Sequence, residues 1–186
     1  MILGVLVFLV LVAVWIARIY NKLVTTRNAA RHAFAQIEAQ LAHRHDLVTD
    51  LAEATKAHLQ HDRGTLEAVI EARNTAAIGL KSAAADPANA VAVGQLSTAE
   101  NQLSSALGRV FALAGADADI KTNTKLTQLS DELATTESRI AMARQAYNDA
   151  VTIYNNAREI FPNNFVAGNF SFAAMQLLEI ESSANR

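Results

Sequence analysis

Apolar and polar positions divide this chain into two regimes. Residues 1–17, MILGVLVFLVLVAVWIA, carry no charged side chain, and the positions after them mix charge with apolar residues three and four apart. No glycine or proline falls between Gly4 and Gly64. The pattern therefore predicts one helix that leaves an apolar stretch and continues, over about 20–62, into a polar domain. Phe34, Ile37, Leu41, Val48 and Leu51 form its apolar seam, and Arg44 falls on the same seam.

Three more helices follow by the same reasoning, over about 65–85, 87–114 and 122–161. Gly64 and Thr65 read as the stop of one helix and the cap of the next. Leu66, Val69, Ile70, Arg73 and Leu80 mark the inner face of the second helix. Asp86-Pro87 reads as the restart of the third, whose seam is Leu96, Leu103, Leu107, Val110 and Leu113, ending near Gly115. The last long helix is the most regular. Leu126, Leu133, Ile140, Tyr147, Tyr154 and Phe161 recur every seven residues, beside Leu129, Thr136, Ala143, Ala150 and Ala157. Short connections favour antiparallel neighbours, so the expected fold is all-α, a long-helix antiparallel four-helix bundle over 20–161.

Beyond Pro162 the texture changes. Phe165, Phe170 and Phe172 follow Phe161 within twelve residues, and Ala173–Ile180 reads as a short amphipathic helix through Met175, Leu177, Leu178 and Ile180. The tail, 162–186, is expected to fold back over the end of the bundle or to present its phenylalanines to a membrane or another subunit.

At ~1.5 Å per residue, residues 1–17 cover about 25 Å of a ~30 Å hydrocarbon core. Trp15, Arg18, Tyr20 and Lys22 would lie at the interface, so residues 1–19 read as a transmembrane anchor. A cleaved signal peptide would want a basic region before the apolar run and small residues after it, and neither occurs. Arg18, Lys22, Arg27 and Arg31 follow the run, with no acid before Glu38. The positive-inside rule puts the bundle in the cytoplasm and the N-terminus outside.

Composition narrows the chemistry. The net charge of −2 provides no field for nucleic acid, and the absence of cysteine removes thiolate metal sites and thiol catalysis. Glycines are isolated, so no phosphate-cradling loop is present, and no cofactor is expected. His58 and His61 lie three apart with Asp62 beside them, but no third ligand motif completes a metal set. The polar residues of most interest are Arg44, Glu137 and Arg144. They are expected to form a buried ion-pair cluster fixing the register of the first and last long helices, rather than an acid–base site. The Tyr-Asn pairs at 20–21, 147–148 and 154–155 place an amide beside each tyrosine; the last two asparagines face one way and suit register specification.

Two stretches together carry a resemblance. The first is Tyr20-Asn21-Lys22-Leu23-Val24, then Arg27-Asn28, Gln40-Leu41 and Arg44-His45-Asp46-Leu47-Val48. The second runs from Asp131-Glu132-Leu133 through Glu137, Arg144, Tyr147-Asn148 and Tyr154-Asn155 to Phe161-Pro162. This resembles the LemA family of bacterial membrane proteins. Val48-Thr49 stands where the family commonly has Ile-Pro, and Asp117-Ala118-Asp119-Ile120-Lys121 departs from its Tyr-Pro-x-Leu-Lys. The resemblance implies an N-terminal anchor with its terminus outside, a long-helix domain and no established enzymatic activity. It also implies roles in building membrane compartments or beside membrane proteases. The reading that follows is a non-enzymatic, self-assembling scaffold at the bacterial inner membrane, with a protease adaptor and a small metal-dependent enzyme as alternatives.

Overall fold

The computed structural model describes residues 2–56, 62–116 and 123–181. Helix α1, Ile2–Thr55, is continuous over 54 residues. At ~1.5 Å per residue that is about 80 Å of unbroken helix. Its first part meets the length and composition of a membrane span, and almost none of that window is covered by protein. Its second part buries Phe34, Ile37, Leu41, Arg44, Val48 and Leu51, the whole expected seam.

Helices α2 (Arg63–Ala85), α3 (Ala90–Ala116), α4 (Thr124–Glu159) and α5 (Asn163–Asn169) follow. Two caps differ from the sequence expectation. Gly64 and Thr65 lie inside the first turn of α2, after Asp62, so neither stops nor caps a helix. The third helix starts later than Pro87, because Asn89 Oδ1 accepts from Val91 and Ala92 N–H. Asp86 instead closes the preceding turn, its Oδ1 accepting from Ala88 N–H. Asn123 caps α4 in the same way as Asn89, through Lys125 and Leu126 N–H. The histidine pair at 58 and 61 and the connection at 117–121 lie outside the described residues.

Helix α4 runs antiparallel to α1. Phe34 meets Tyr147 edge-on at 5.5 Å, and ten residues further along α1, Arg44 reaches Glu137. Helix α1 packs along α4 and against α2, and α2 along α3, but α3 and α4 stand further apart. The extended tail occupies that fourth side. Two apolar clusters fill the interior. One, nearer the membrane stretch, contains Leu23, Phe34, Leu41, Leu96, Ile140 and Tyr147. The other contains Leu47, Val48, Val69, Leu103, Leu126 and Leu133. Ile70, expected inside, is half exposed; Ala76 and Ala83 occupy the inner face of α2 instead.

The tail corrects a second expectation. Residues 173–180 form no helix; the helical turn sits earlier, at Asn163–Asn169. Phe172, Met175 and Leu178 are buried at every third position, with Ile180 buried after them.

Candidate functional site

Arg44 lies where the two apolar clusters meet, between Leu41 of one and Leu47 of the other. It is 0% exposed, as is Glu100 of α3. Arg44 Nη1 donates to Glu100 Oε2 at 3.1 Å, and Nη2 donates to Ser104 Oγ at 2.8 Å and lies 2.9 Å from Glu137 Oε1. His45 Nε2 pairs with the other Glu100 oxygen at 2.7 Å. One guanidinium thus ties three helices together in a single polar layer. Burial pushes the Glu137 carboxyl above its usual range, Arg44 pulls it down, and Glu100 adds to the rise.

Both expected partners Arg44 and Glu137 are joined here, but Arg144 is not. Seven residues along α4 carry Arg144 about 10 Å from Glu137, and it lines a groove with Asn101, Asn148 and Glu179 instead. Glu100 supplies the second carboxylate. The sequence held a signal for it: Val93, Leu96, Glu100, Leu103, Leu107 and Val110 step by three and four, and the glutamate interrupts that seam as Arg44 interrupts its own. Both Glu100 oxygens have a partner and the side chain is fully buried, so this carboxylate presents no surface to a substrate. Only the Glu137 end opens outward, at a groove of about 760 Å³ lined also by Ser104, Arg109 and Ser130.

The Tyr-Asn pairs at 147–148 and 154–155 hold the tail. Asn155 holds Met175 at both backbone atoms: its Nδ2 donates to the carbonyl at 2.9 Å, and its Oδ1 accepts from the N–H at 3.0 Å. Asn148 grips Leu178 identically, at 3.2 and 2.9 Å. Tyr154 donates to Ala173 O at 2.8 Å and Tyr147 to Gln176 O at 2.9 Å. Burial raises both phenols above their ordinary range. From the other side Asn101 donates to Glu179 O and accepts from Glu181 N–H, while Ser97 Oγ accepts from Glu179 N–H. The spacing has a geometric cause. Seven residues of helix rise about 10 Å, close to three residues of extended chain at ~3.1 Å each.

The remaining expected residues lie at the membrane end or on the surface. Trp15, Arg18, Asn21 and Lys22 are exposed. Tyr20, unlike the other tyrosines, stacks edge-on with Phe170 at 5.3 Å and Phe172 at 5.4 Å. Arg27 sits over the Phe172 ring at 5.2 Å. Phe172 is buried, whereas Phe161, Phe165 and Phe170 are 81, 75 and 54% exposed. Pro162 precedes α5. Asp46 is exposed and lies 3.8 Å from Arg73. Among the described residues no group of three or more His, Cys, Asp or Glu is placed to hold a metal.

A family model described as LemA family matches residues 33–186. The matched stretch takes in the ionic layer, the asparagine clamps and the tail, and begins after the membrane-length stretch and Tyr20-Asn21. No curated protein matches the chain.

Proposed function

The chain belongs to the LemA family, and from that premise we propose that it acts as a membrane-anchored helical scaffold without a reaction of its own. It holds its bundle against a bacterial inner membrane and assembles there with further copies. The observation that carries this reading is the continuity of Ile2–Thr55. A membrane-length apolar stretch and the central helix of the bundle are one rigid element, so the domain stands at a fixed height above the bilayer. The positive-inside rule, applied to Arg18, Lys22, Arg27 and Arg31, supports a cytoplasmic side for that domain.

Contacts between copies would use the flanks of the bundle. Ile78 and Val91 project from the α2–α3 side, and Met142 and Ile153 from α4, all largely exposed. Many copies fixed at one height give a lattice that organises or curves the membrane beneath it. The test is the mass of the full-length protein in mild detergent, by light scattering with the detergent subtracted. A discrete multimer of one polypeptide is expected. A lone monomer overturns self-assembly, and a stable second protein in the particle replaces it with the adaptor reading, in which the same flanks act on a membrane protease.

A further inference from the structure

The corner between α4 and α5 carries three exposed phenylalanines outside the apolar N-terminal stretch. Phe161, Phe165 and Phe170 lie there with Ile160, which is also mostly exposed. Residues 160–178 contain no charged side chain, a run of nineteen between Glu159 and Glu179. An uncharged, aromatic corner next to water is unfavourable in proportion to its apolar area. Its position along α1 says what covers it.

Ile16, two residues before the first charged side chain, packs on the cluster that contains Ile19, Leu23, Val166, Ala167 and Phe172. Tyr20 stacks on Phe170 and Phe172. Helix α5 also packs directly against α1. Through Phe170 the corner is therefore held at the level of Tyr20, where the apolar stretch has just given way to Arg18 and Lys22. In a bilayer that level is the boundary between acyl chains and headgroups, where aromatic side chains are favoured.

We propose that the α4–α5 corner is a second membrane-contacting element, with Phe161, Phe165 and Phe170 inserted into the headgroup–acyl boundary beside α1. The occupant of this surface is lipid. The same helix that positions the corner brings the bilayer with it, so lipid is already in contact before any second copy arrives. Arg18 and Lys22 near the same level, and Arg27 about 7 Å further along the helix, favour an anionic leaflet. Two contacts, one spanning and one shallow, fix tilt as well as height. This inference rests on the anchor proposed above.

The experiment uses the full-length chain in vesicles of phosphatidylglycerol and phosphatidylethanolamine, with a fraction of the lipid brominated near the headgroup end of its acyl chains. Trp15 is the sole tryptophan, so the unaltered protein reports on the anchor. Trp15→Phe/Phe165→Trp reports on the corner, and Trp15→Phe/Ile78→Trp on a surface facing water. Trp15→Phe/Phe161→Trp provides a second reporter should the first perturb folding, with helicity checked by circular dichroism. The expected result is quenching at position 165 or 161 comparable to that of Trp15, and none at 78. Quenching of Trp15 alone overturns the corner and leaves the anchor standing. Protection of position 165 from acrylamide without lipid quenching means that a second copy or another protein covers it, which also overturns the proposal. No quenching of Trp15 overturns the anchor reading and this inference together.

Discussion

Asn148 on α4 holds Leu178 of the tail by both its backbone atoms, giving one hydrogen bond and receiving another. An amide side chain that matches a peptide group in this way replaces the neighbour that an extended segment lacks when no strand lies beside it. Asn155 does the same for Met175, and the tail becomes the missing fourth side of the bundle.

Asn148→Ala and Asn155→Ala should each lower stability by about 1–3 kcal/mol, since each leaves buried peptide groups without partners. The more specific sign is local. Hydrogen exchange at the Met175 and Leu178 amides should speed up while the four long helices stay protected. Unchanged protection at those two amides in the double variant would show that the clamps hold nothing.

Arg44→Ala leaves the fully buried Glu100 and the part-buried Glu137 without their arginine, and should cost about 3–5 kcal/mol. Replacing Arg44, His45, Glu100 and Glu137 together by apolar residues of similar size should recover most of that loss, because desolvation of the layer is removed along with its attraction. Urea unfolding of the full chain in detergent measures both. A quadruple variant as unstable as Arg44→Ala would mean that the layer contributes net stability.

The raised Glu137 carboxyl gives a pH dependence with a definite sign. Because the folded state binds this proton more tightly than the unfolded chain, the group's contribution to stability falls as pH climbs from about 4.5 through its raised folded value. It then stays at its lower level at higher pH. The stability of the natural protein relative to Glu137→Gln should therefore decline over that interval. A flat difference from pH 4 to 8 would remove burial as the governing influence on this group.

Two isoleucines of α4 separate packing from surface. Ile140 is buried and Ile153 largely exposed. Ile140→Ala should cost about 2–5 kcal/mol, and Ile153→Ala no more than ~0.5 kcal/mol. If Ile153 belongs to a contact between copies, its replacement should reduce particle mass in detergent without moving the unfolding midpoint.

The long helices were legible because their seams repeat over many turns, so chance spacing averages out. The sevenfold series from Leu126 to Tyr154 is buried throughout, while Phe161, beyond the helix end, is exposed. The tail departs from the helix its composition favours, and for a definite reason. Ala173, Ala174, Met175, Gln176, Leu177 and Leu178 favour helix intrinsically, and a spacing of three is shared by helix and extended chain. Side chains from α3 and α4, distant in sequence, supply the hydrogen bonds that decide between them. Arg144 lies away from the ionic layer, and proximity in a linear pattern says nothing of which neighbour a side chain faces. Glu100 could have been found by asking which other seam carries a lone charge of opposite sign.

The continuity of α1 has a rotational consequence. A straight helix advances ~100° about its axis with each residue, and no turn or glycine interrupts this one between the apolar stretch and Arg44. The bundle therefore has an azimuth locked to the faces of the apolar N-terminal stretch. Inserting one residue near Lys22 would lift the domain by only about 1.5 Å but swing it through more than a quarter turn, carrying Phe161 and Phe165 round to a different bearing. Orientation in the plane of the membrane is written into the phase of a single helix.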